Sequence, residues 1–199
     1  MWSYLEGHRD EAEIFGQAMT AKAVADIGAV LGSYDFTRFR TIADIGGGRG
    51  HLLRAILEAA PSAEGVLFDL PAVIDTLTLD SDRLTARPGD FFVDTLPAAD
   101  AYILMEVIHD WADAEAAAIL RAIRRAASPG STVLIIEGVL GEETPDLRVH
   151  TLDVIMLAMT GGRERSASQL GELLDGTGFQ LIRVLGTPGA MRIAEATAL

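Results

Sequence analysis

The chain has 199 residues, 49% of them apolar, a net charge of −13 and no cysteine. That length holds one full-sized domain with a real core, and the missing thiols exclude disulfides, thiolate zinc sites and cysteine nucleophiles and suit a reducing cytoplasm. The negative charge repels a phosphate backbone, so nucleic acid is not an expected partner, and no uncharged apolar run approaches the ~20 residues that span a bilayer.

The start, Met1-Trp2-Ser3-Tyr4-Leu5-Glu6, has no basic stretch followed by an apolar run, and no secretory signal is expected. Residues 1–36 read as an amphipathic helical lead-in, with Ile14, Phe15, Ala18 and Met19 on one stripe. From Phe39 onward strand and helix alternate. Apolar runs at 41–44, 65–69, 101–105 and 133–137 are rich in Val, Ile and Leu without polar alternation, as strands buried on both faces are. A helix over 52–60 stops at Pro61. Another runs from Asp113, read as its N-cap, to Ala127, with Ala116, Ile119, Leu120 and Ile123 inside and Arg121, Arg124 and Arg125 outside. Pro129-Gly130 ends it. Strand–helix–strand repetition of this kind specifies a parallel, doubly wound α/β sheet. Near the C-terminus, 180–185 and 191–194 are strand-like and joined by only five residues, which favours an antiparallel pair.

The strongest motif is Asp44-Ile45-Gly46-Gly47-Gly48-Arg49-Gly50, directly after a strand and before a helix. Glycines there allow a sharp turn and close approach of a ligand to the backbone. The spacing is D-x-G-x-G-x-G, and His51 stands where a dinucleotide fingerprint has its third glycine. A carboxylate at Asp44 sits badly beside a pyrophosphate and suits a ligand that carries positive charge. Asp69 ends the second strand, where it either accepts hydrogen bonds from both hydroxyls of a ribose or caps a helix starting at Pro71. Asp90 and Phe91 follow the third strand-like stretch, in reach of an adenine.

Ile108-His109-Asp110-Trp111 follows the fourth strand. With Phe68-Asp69-Leu70-Pro71, Asp153-Val154-Ile155-Met156-Leu157 and Gly161-Gly162-Arg163-Glu164-Arg165, it closely resembles the plant-type small-molecule O-methyltransferases and their bacterial relatives that tailor polyketides and other aromatic natural products. The resemblance covers nearly the whole chain. It implies a Rossmann-like class I methyltransferase fold with an antiparallel C-terminal strand, S-adenosylmethionine as cofactor with S-adenosylhomocysteine as product, and a phenolic small molecule as substrate. Matched position by position, it implies that His109 is the general base, flanked by Glu137 and Glu164. Gly46, Asp69, Leu70, Asp90 and Phe91 fall at cofactor positions, beside Asp44 and Gly48 of the loop and with Trp111 near the adenine, and Phe15 and Met19 fall at positions that face the substrate, Met156 being a further candidate there. Residues 1–36 are then a lead-in that contributes to the pocket, and 37–199 the cofactor-binding catalytic domain. Two departures stand out. Met105 occupies the place, four before the base, where a basic residue often contacts the cofactor. The helical, winged-helix-like domain through which family members form homodimers has no counterpart in these residues, so the extensive dimer interface is not expected here.

The chemistry needs a base. A phenol of pKa ~10 facing a histidine of pKa ~6.5 makes full proton transfer roughly 5 kcal/mol uphill, and a neighbouring glutamate shrinks that gap by favouring the imidazolium. No carboxylate cluster has the oxygen-ligand pattern of a magnesium-dependent catechol enzyme, and no metal is expected. His8 reads as a solvated helix residue, His51 as a helix-start residue and His150 as packing beside the pocket helix. Ile155, Met156 and Met159 either line a cavity or belong to the core. Two other functions share parts of the pattern: a nicotinamide-dependent dehydrogenase, and a relative that binds the cofactor without methylating.

Overall fold

The computed structural model describes residues 4, 5, 7–79, 81–141 and 146–199. Residues 1–3 and 6 of the lead-in lie outside the described residues. Helix α1 (Arg9–Ser33) is followed by a 3₁₀ turn (Phe36–Arg38) that brings the chain to the sheet, with the Asp35 side chain accepting from Thr37 N at 3.0 Å. Among the described side chains of α1, those that enter the core, Ile27 and Val30, lie toward its C-terminal end. The Ile14–Met19 stripe does not: Ile14 is 67% exposed, Ala18 and Met19 are exposed, and Phe15 is half-buried. The stripe shares a helical face, as its spacing requires, but that face does not pack on the sheet.

The described strands form one sheet in the order β3-β2-β1-β4-β5-β8-β7. Strands β1 (Thr41–Ile45), β2 (Glu64–Asp69), β3 (Leu84–Pro88), β4 (Ala101–Met105) and β5 (Thr132–Leu140) run parallel to one another. The two-residue β6 (Arg165–Ser166) extends the sheet beside the end of β5, pairing Val139 with Arg165. Strand β8 (Met191–Ala198) runs antiparallel to both β5 and β7 (Phe179–Gly186). This is the mostly parallel, doubly wound sheet with an antiparallel C-terminal strand, and its last strands reach beyond 180–185 and 191–194.

Two apolar layers sandwich the sheet, and the two-residue period of a strand assigns side chains to them. Along β4, Tyr102 and Leu104 face helices α4 (Asp113–Ala126) and α6 (Ala167–Asp175), whereas Ala101 and Ile103 face α1 and α2 (His51–Ala59). Helix α3 (Pro71–Ile74) is a single turn with proline at its start. Helix α4 carries Asp113 and Glu115 in its first turn and Arg124 and Arg125 in its last, each sign where the helix dipole favours it. Its N-cap is Ala112, not Asp113, and alanine has no polar side chain to cap the helix; the Asp113 carboxylate binds Arg165 instead. Helix α6 opens with a reciprocal capping box between Ser166 and Gln169. Helix α5 (Leu147–Met159) stands over the C-terminal edge of the sheet, and of its residues only Val149 is buried.

Strand order reverses between β1 and β4. At such a switch point the loops leaving neighbouring strands part and open a crevice at their C-terminal ends. The glycine loop leaves β1 there, Asp69 ends β2, and the turn carrying His109 follows β4.

Candidate active site

A cleft of about 800 Å³ occupies this crevice. Its floor is the glycine loop, held open by left-handed backbone at Gly46 (φ +69°) and Gly48 (φ +58°). A Cβ on Gly47 would lie 2.5 Å from the Asp44 carboxyl carbon and from Leu67, so this position excludes any side chain. Asp69 braces the loop: one carboxylate oxygen accepts from Gly48 N and the other from Leu70 N, both at 2.7 Å. Each oxygen keeps a further lone pair for a ligand. Burial raises the Asp69 carboxyl, against the pull of these two amides. Asp44 lines the cleft beneath the loop, 1% exposed, and neither of its oxygens has a protein partner. Burial, and Asp69 beside it, push it up to about 7. A buried carboxylate left without a donor, next to a second one, fits a ligand that brings positive charge.

The opposite wall carries His109, on a 3₁₀ turn (Ile108–Asp110) after β4. The side chain is buried. Nδ1 lies 2.7 Å from Oε1 of Glu164, and the His109 backbone N–H donates to Oε2 of Glu137 at 3.2 Å. The two glutamates therefore act on different atoms: Glu164 on the ring, Glu137 on the main chain. With Nδ1 donating to a carboxylate, Nε2 is the ring atom left on the cleft side, 3.9 Å from Asp110 Oδ1. Burial works against the charged imidazole, but the Glu164 hydrogen bond and the charges of Glu137, Glu164 and Asp110 outweigh it and push His109 up to about 9. Glu137 is itself pushed up to about 7 by complete burial, and Asp110 to about 6 by burial.

Helices α1 and α5 form the remaining walls. Phe15, Met19, Ile155, Met156 and Met159 all line the cleft, which resolves the α5 stripe as wall rather than core. Two ion pairs tie α1 across the opening, Glu13 to Arg49 and Lys22 to Glu106. The cation near Met105, where the family pattern has a basic residue in the strand, thus comes from α1.

Asp44, Gly46, Gly48, Asp69, Leu70, His109, Phe15, Met19 and Met156 share this one cleft. Glu137 and Glu164 stand behind His109, out of the cleft. Asp90, Phe91 and Trp111 are not on its wall: the Asp90 carboxylate accepts from Phe92 N at 2.8 Å, and Phe91, Phe92 and Trp111 form an edge-on aromatic cluster next to it. Phe91 reaches the loop from the side, 3.8 Å from where a Gly46 Cβ would stand. His51 starts α2 and lines the cleft, and burial, with Arg54 and Arg49 nearby, lowers its pKa. His8 is exposed at the start of α1. His150 does not pack beside the pocket helix but is an exposed residue of it.

Reading the sequence missed three residues here. Glu106, with φ +54°, is the one non-glycine in the left-handed region among the described residues, and nothing in its residue type marks it. Lys22 reaches the site only through the placement of α1. Arg165 carries a signal, as a charged residue in the Gly-Gly-Arg-Glu-Arg run, but its burial does not show in sequence. No group of His, Cys, Asp and Glu among the described residues is arranged to hold a metal ion, and no described helix is long and apolar enough to cross a membrane.

Residues 1–180 match the model of the O-methyltransferase domain. The chain is 38% identical to the phenazine O-methyltransferase PhzM of Lysobacter antibioticus, over 98% of its own length and 59% of that protein. It is 36% identical to the mitomycin biosynthesis 6-O-methyltransferase of Streptomyces lavendulae, over 98% of its length and 57% of that protein. Among solved structures, the O-methyltransferase NcsB1 from neocarzinostatin biosynthesis, in complex with S-adenosylmethionine and 2-hydroxy-5-methyl naphthoic acid, superposes with a TM-score of 0.89 at 34% identity, covering 100% of this chain and 61% of that one. The chain thus spans about three fifths of the length of these relatives. This kinship sets aside the dehydrogenase reading. By its sequence, its sheet and the arrangement of its cleft, the chain belongs to the O-methyltransferase domain family.

Proposed function

We propose that the chain is the cofactor-binding and catalytic part of an S-adenosylmethionine-dependent O-methyltransferase whose acceptor is a hydroxyl of a small aromatic, natural-product-type molecule, with His109 as general base. The observation that carries this reading is the imidazole itself. It is locked through Nδ1 onto a buried carboxylate and faces, through Nε2, a cleft built over a glycine loop and an unpartnered Asp44.

The bound cofactor supplies an electrophilic methyl group. Asp69, with a free lone pair on each oxygen, and Leu70 hold the ribose; Gly46 and Gly48 admit the chain close to the backbone; Asp44 answers the positive charge. Asp90, Phe91 and Trp111 bound the adenine end, where the aromatic cluster abuts Gly46. Residues 1–36 supply the acceptor wall through Phe15 and Met19, facing Met156, while residues 37–199 hold the cofactor. Sulfur-containing and aromatic side chains suit a flat aromatic acceptor such as the phenazine and naphthoic acid named for two relatives.

Proton removal follows from the environment of His109. Pushed up to about 9, its affinity for a proton approaches that of a phenol at ~10, so transfer to Nε2 is much less uphill than the roughly 5 kcal/mol facing an ordinary imidazole. Glu164, fully buried against Nδ1, stabilises the imidazolium that results. Holding the acceptor in line then supplies much of the remaining acceleration.

The test has two arms. Calorimetry with S-adenosylhomocysteine should show one site, weakened by about 1.5–3 kcal/mol in Asp69→Ala, the scale of charge-assisted hydrogen bonds. Mass spectrometry of hydroxylated aromatics incubated with methyl-labelled cofactor should show label on oxygen. Cofactor binding without label on any acceptor would identify a binding relative that does not methylate, and absence of binding would end the whole reading.

A further inference from the structure

We infer that Arg165 is a positioning residue for His109: its guanidinium clamps the backbone of the 3₁₀ turn that carries the imidazole and so sets the direction of Nε2. The inference rests on the reading of His109 as the base.

The turn is short and its own hydrogen bonds are long. Asp110 N reaches Val107 O, and Trp111 N reaches Ile108 O, both at 3.2 Å. Three residues held this way do not fix a ring to the tolerance that proton transfer needs. The rest of the hold comes from the segment 161–165 that leads into β6. Arg163 N donates to His109 O at 2.8 Å, and Glu164 takes Nδ1. Arg165 completes it from beneath. Its Nη1 donates to Ile108 O at 3.1 Å, and its Nη2 donates to Trp111 O at 2.9 Å, so one rigid fork grips the carbonyls on either side of His109-Asp110. Nε and Nη2 also bind Asp113 Oδ1, at 3.0 and 2.8 Å, which orients the fork from the first residue of α4.

Arg165 is 1% exposed, and its residue is the largest fully buried side chain among those described. Burying a guanidinium is costly unless every face is matched, and here its hydrogen bonds go to backbone carbonyls of the His109 turn, with the buried Glu137 near enough to feel its charge. Asp113, its ion-pair partner, is 63% exposed. Guanidinium geometry is what the task requires, since lysine presents a point charge that cannot grip two carbonyls on a fixed fork.

The experiment reads His109 directly and needs no acceptor. The chain has four histidines, and His109 is the one that is buried, so its ring resonances can be told from those of His8, His51 and His150 by their protection. In the wild-type protein with S-adenosylhomocysteine bound, the Nδ1–H proton shared with Glu164 should appear far downfield and exchange slowly with water. In Arg165→Gln it should broaden and exchange faster, the ring titration should shift, and cofactor affinity should stay at the wild-type value. Where an acceptor is in hand, kcat should fall about tenfold to a hundredfold with little change in KM, the usual cost of loosening an outer support. Arg165→Lys separates geometry from charge: it keeps the cation, and it should show the same loosening in milder form. It is also the deciding variant if Arg165→Gln does not fold. A folded Arg165→Gln, or Arg165→Lys, with wild-type His109 exchange and titration overturns the inference, whatever its melting temperature, because a merely structural arginine would leave the native-state ring untouched. These readouts stand apart from methyl transfer, so a failure of the proposed function and a failure of this inference remain distinguishable.

Discussion

Glu164 and His109 meet at 2.7 Å through a carboxylate oxygen and Nδ1, with Glu164 wholly buried and the His109 side chain 5% exposed. Water barely screens this contact, so it fixes the tautomer and sustains the high proton affinity of the ring together. Base catalysis needs the unprotonated imidazole. With His109 pushed up to about 9, kcat/KM for a phenol should climb with pH through the neutral range and level off near pH 9. His109→Gln should lower turnover by about 10²–10⁴-fold and abolish that limb, with cofactor affinity nearly intact. Glu164→Gln keeps an acceptor for Nδ1–H but loses the charge, so the limb should move to lower pH. A pH–rate profile of the three proteins, with calorimetry as the binding control, checks both effects; wild-type turnover in His109→Gln would show that the acceptor ionises unaided.

Glu137 should behave differently, although it flanks the same histidine. It accepts the main-chain N–H of His109, and burial pushes its carboxyl up to about 7. The neutral form already makes that contact, and a glutamine oxygen can make it too. Glu137→Gln should therefore retain turnover within about fivefold near pH 7, whereas Glu137→Ala, which orphans a buried amide, should cost about 1–3 kcal/mol of stability. Steady-state kinetics and thermal melts on the two variants separate these outcomes. A Glu137→Gln enzyme as damaged as Glu164→Gln would mean that the charge of Glu137, which helps to raise His109, counts as much as that of Glu164.

How much of this was legible beforehand depends on what each residue type reveals. The buried strands showed themselves because Ala101–Met105 and 133–137 lack polar alternation, and the glycine loop because left-handed backbone at Gly46, Gly48 and Gly50 and crowding at Gly47 demand glycine. Periodicity placed Ile14 and Met19 on one face of α1, but 3.6-residue spacing does not say whether that face meets a core or a cleft. Asp90 illustrates another limit: one of its carboxylate oxygens accepts from Phe92 N in a local turn, which no motif distinguishes from a side chain turned to a ligand. Arg165 and Arg163 look alike in sequence, yet one is sealed under the His109 turn and the other half-buried beside it. Those differences arise from tertiary placement, after local pattern has had its say.

Asp44 makes a prediction about stability. Its folded pKa, pushed up to about 7 by burial and by Asp69, exceeds the unfolded value near 3.8, so the folded state binds this proton more tightly. Its contribution is full below pH ~4 and is lost as pH rises toward 7. His109, also raised, adds a loss of the same sign between pH ~6.5 and about 9. Asp44→Asn removes the first loss only. Between pH 4 and 7 the wild-type protein should lose on the order of 2–4 kcal/mol more stability than the variant, and the two should run parallel above pH 7. Urea unfolding at several pH values measures the difference. Curves parallel throughout would mean that Asp44 is ionised and matched in the folded protein.

The two glycines ahead of Glu164 offer the sharpest contrast. Gly161 has φ +78° and open space around it, so Gly161→Ala should cost only the left-handed penalty of about 1–2 kcal/mol. Gly162 is not in the left-handed region, but a Cβ there would stand 2.0 Å from His109 O and 2.4 Å from the Asp110 carbonyl carbon. Both obstacles are backbone, and neither can rotate away. In Gly162→Ala the 161–165 segment must lift from the His109 turn, stretching the Arg163 N to His109 O bond and drawing Glu164 from Nδ1. The fold has two layers of core elsewhere to hold it, so the larger consequence falls on the base. We expect Gly162→Ala to lower kcat by about 10²-fold or more, the scale of an ångström misplacement, and Gly161→Ala to leave kcat near the wild-type value. Kinetics on both variants, each with its melting temperature, decides the matter: equal loss of activity in the two would mean that backbone conformation, and not the contact with His109, is what this segment requires of its glycines.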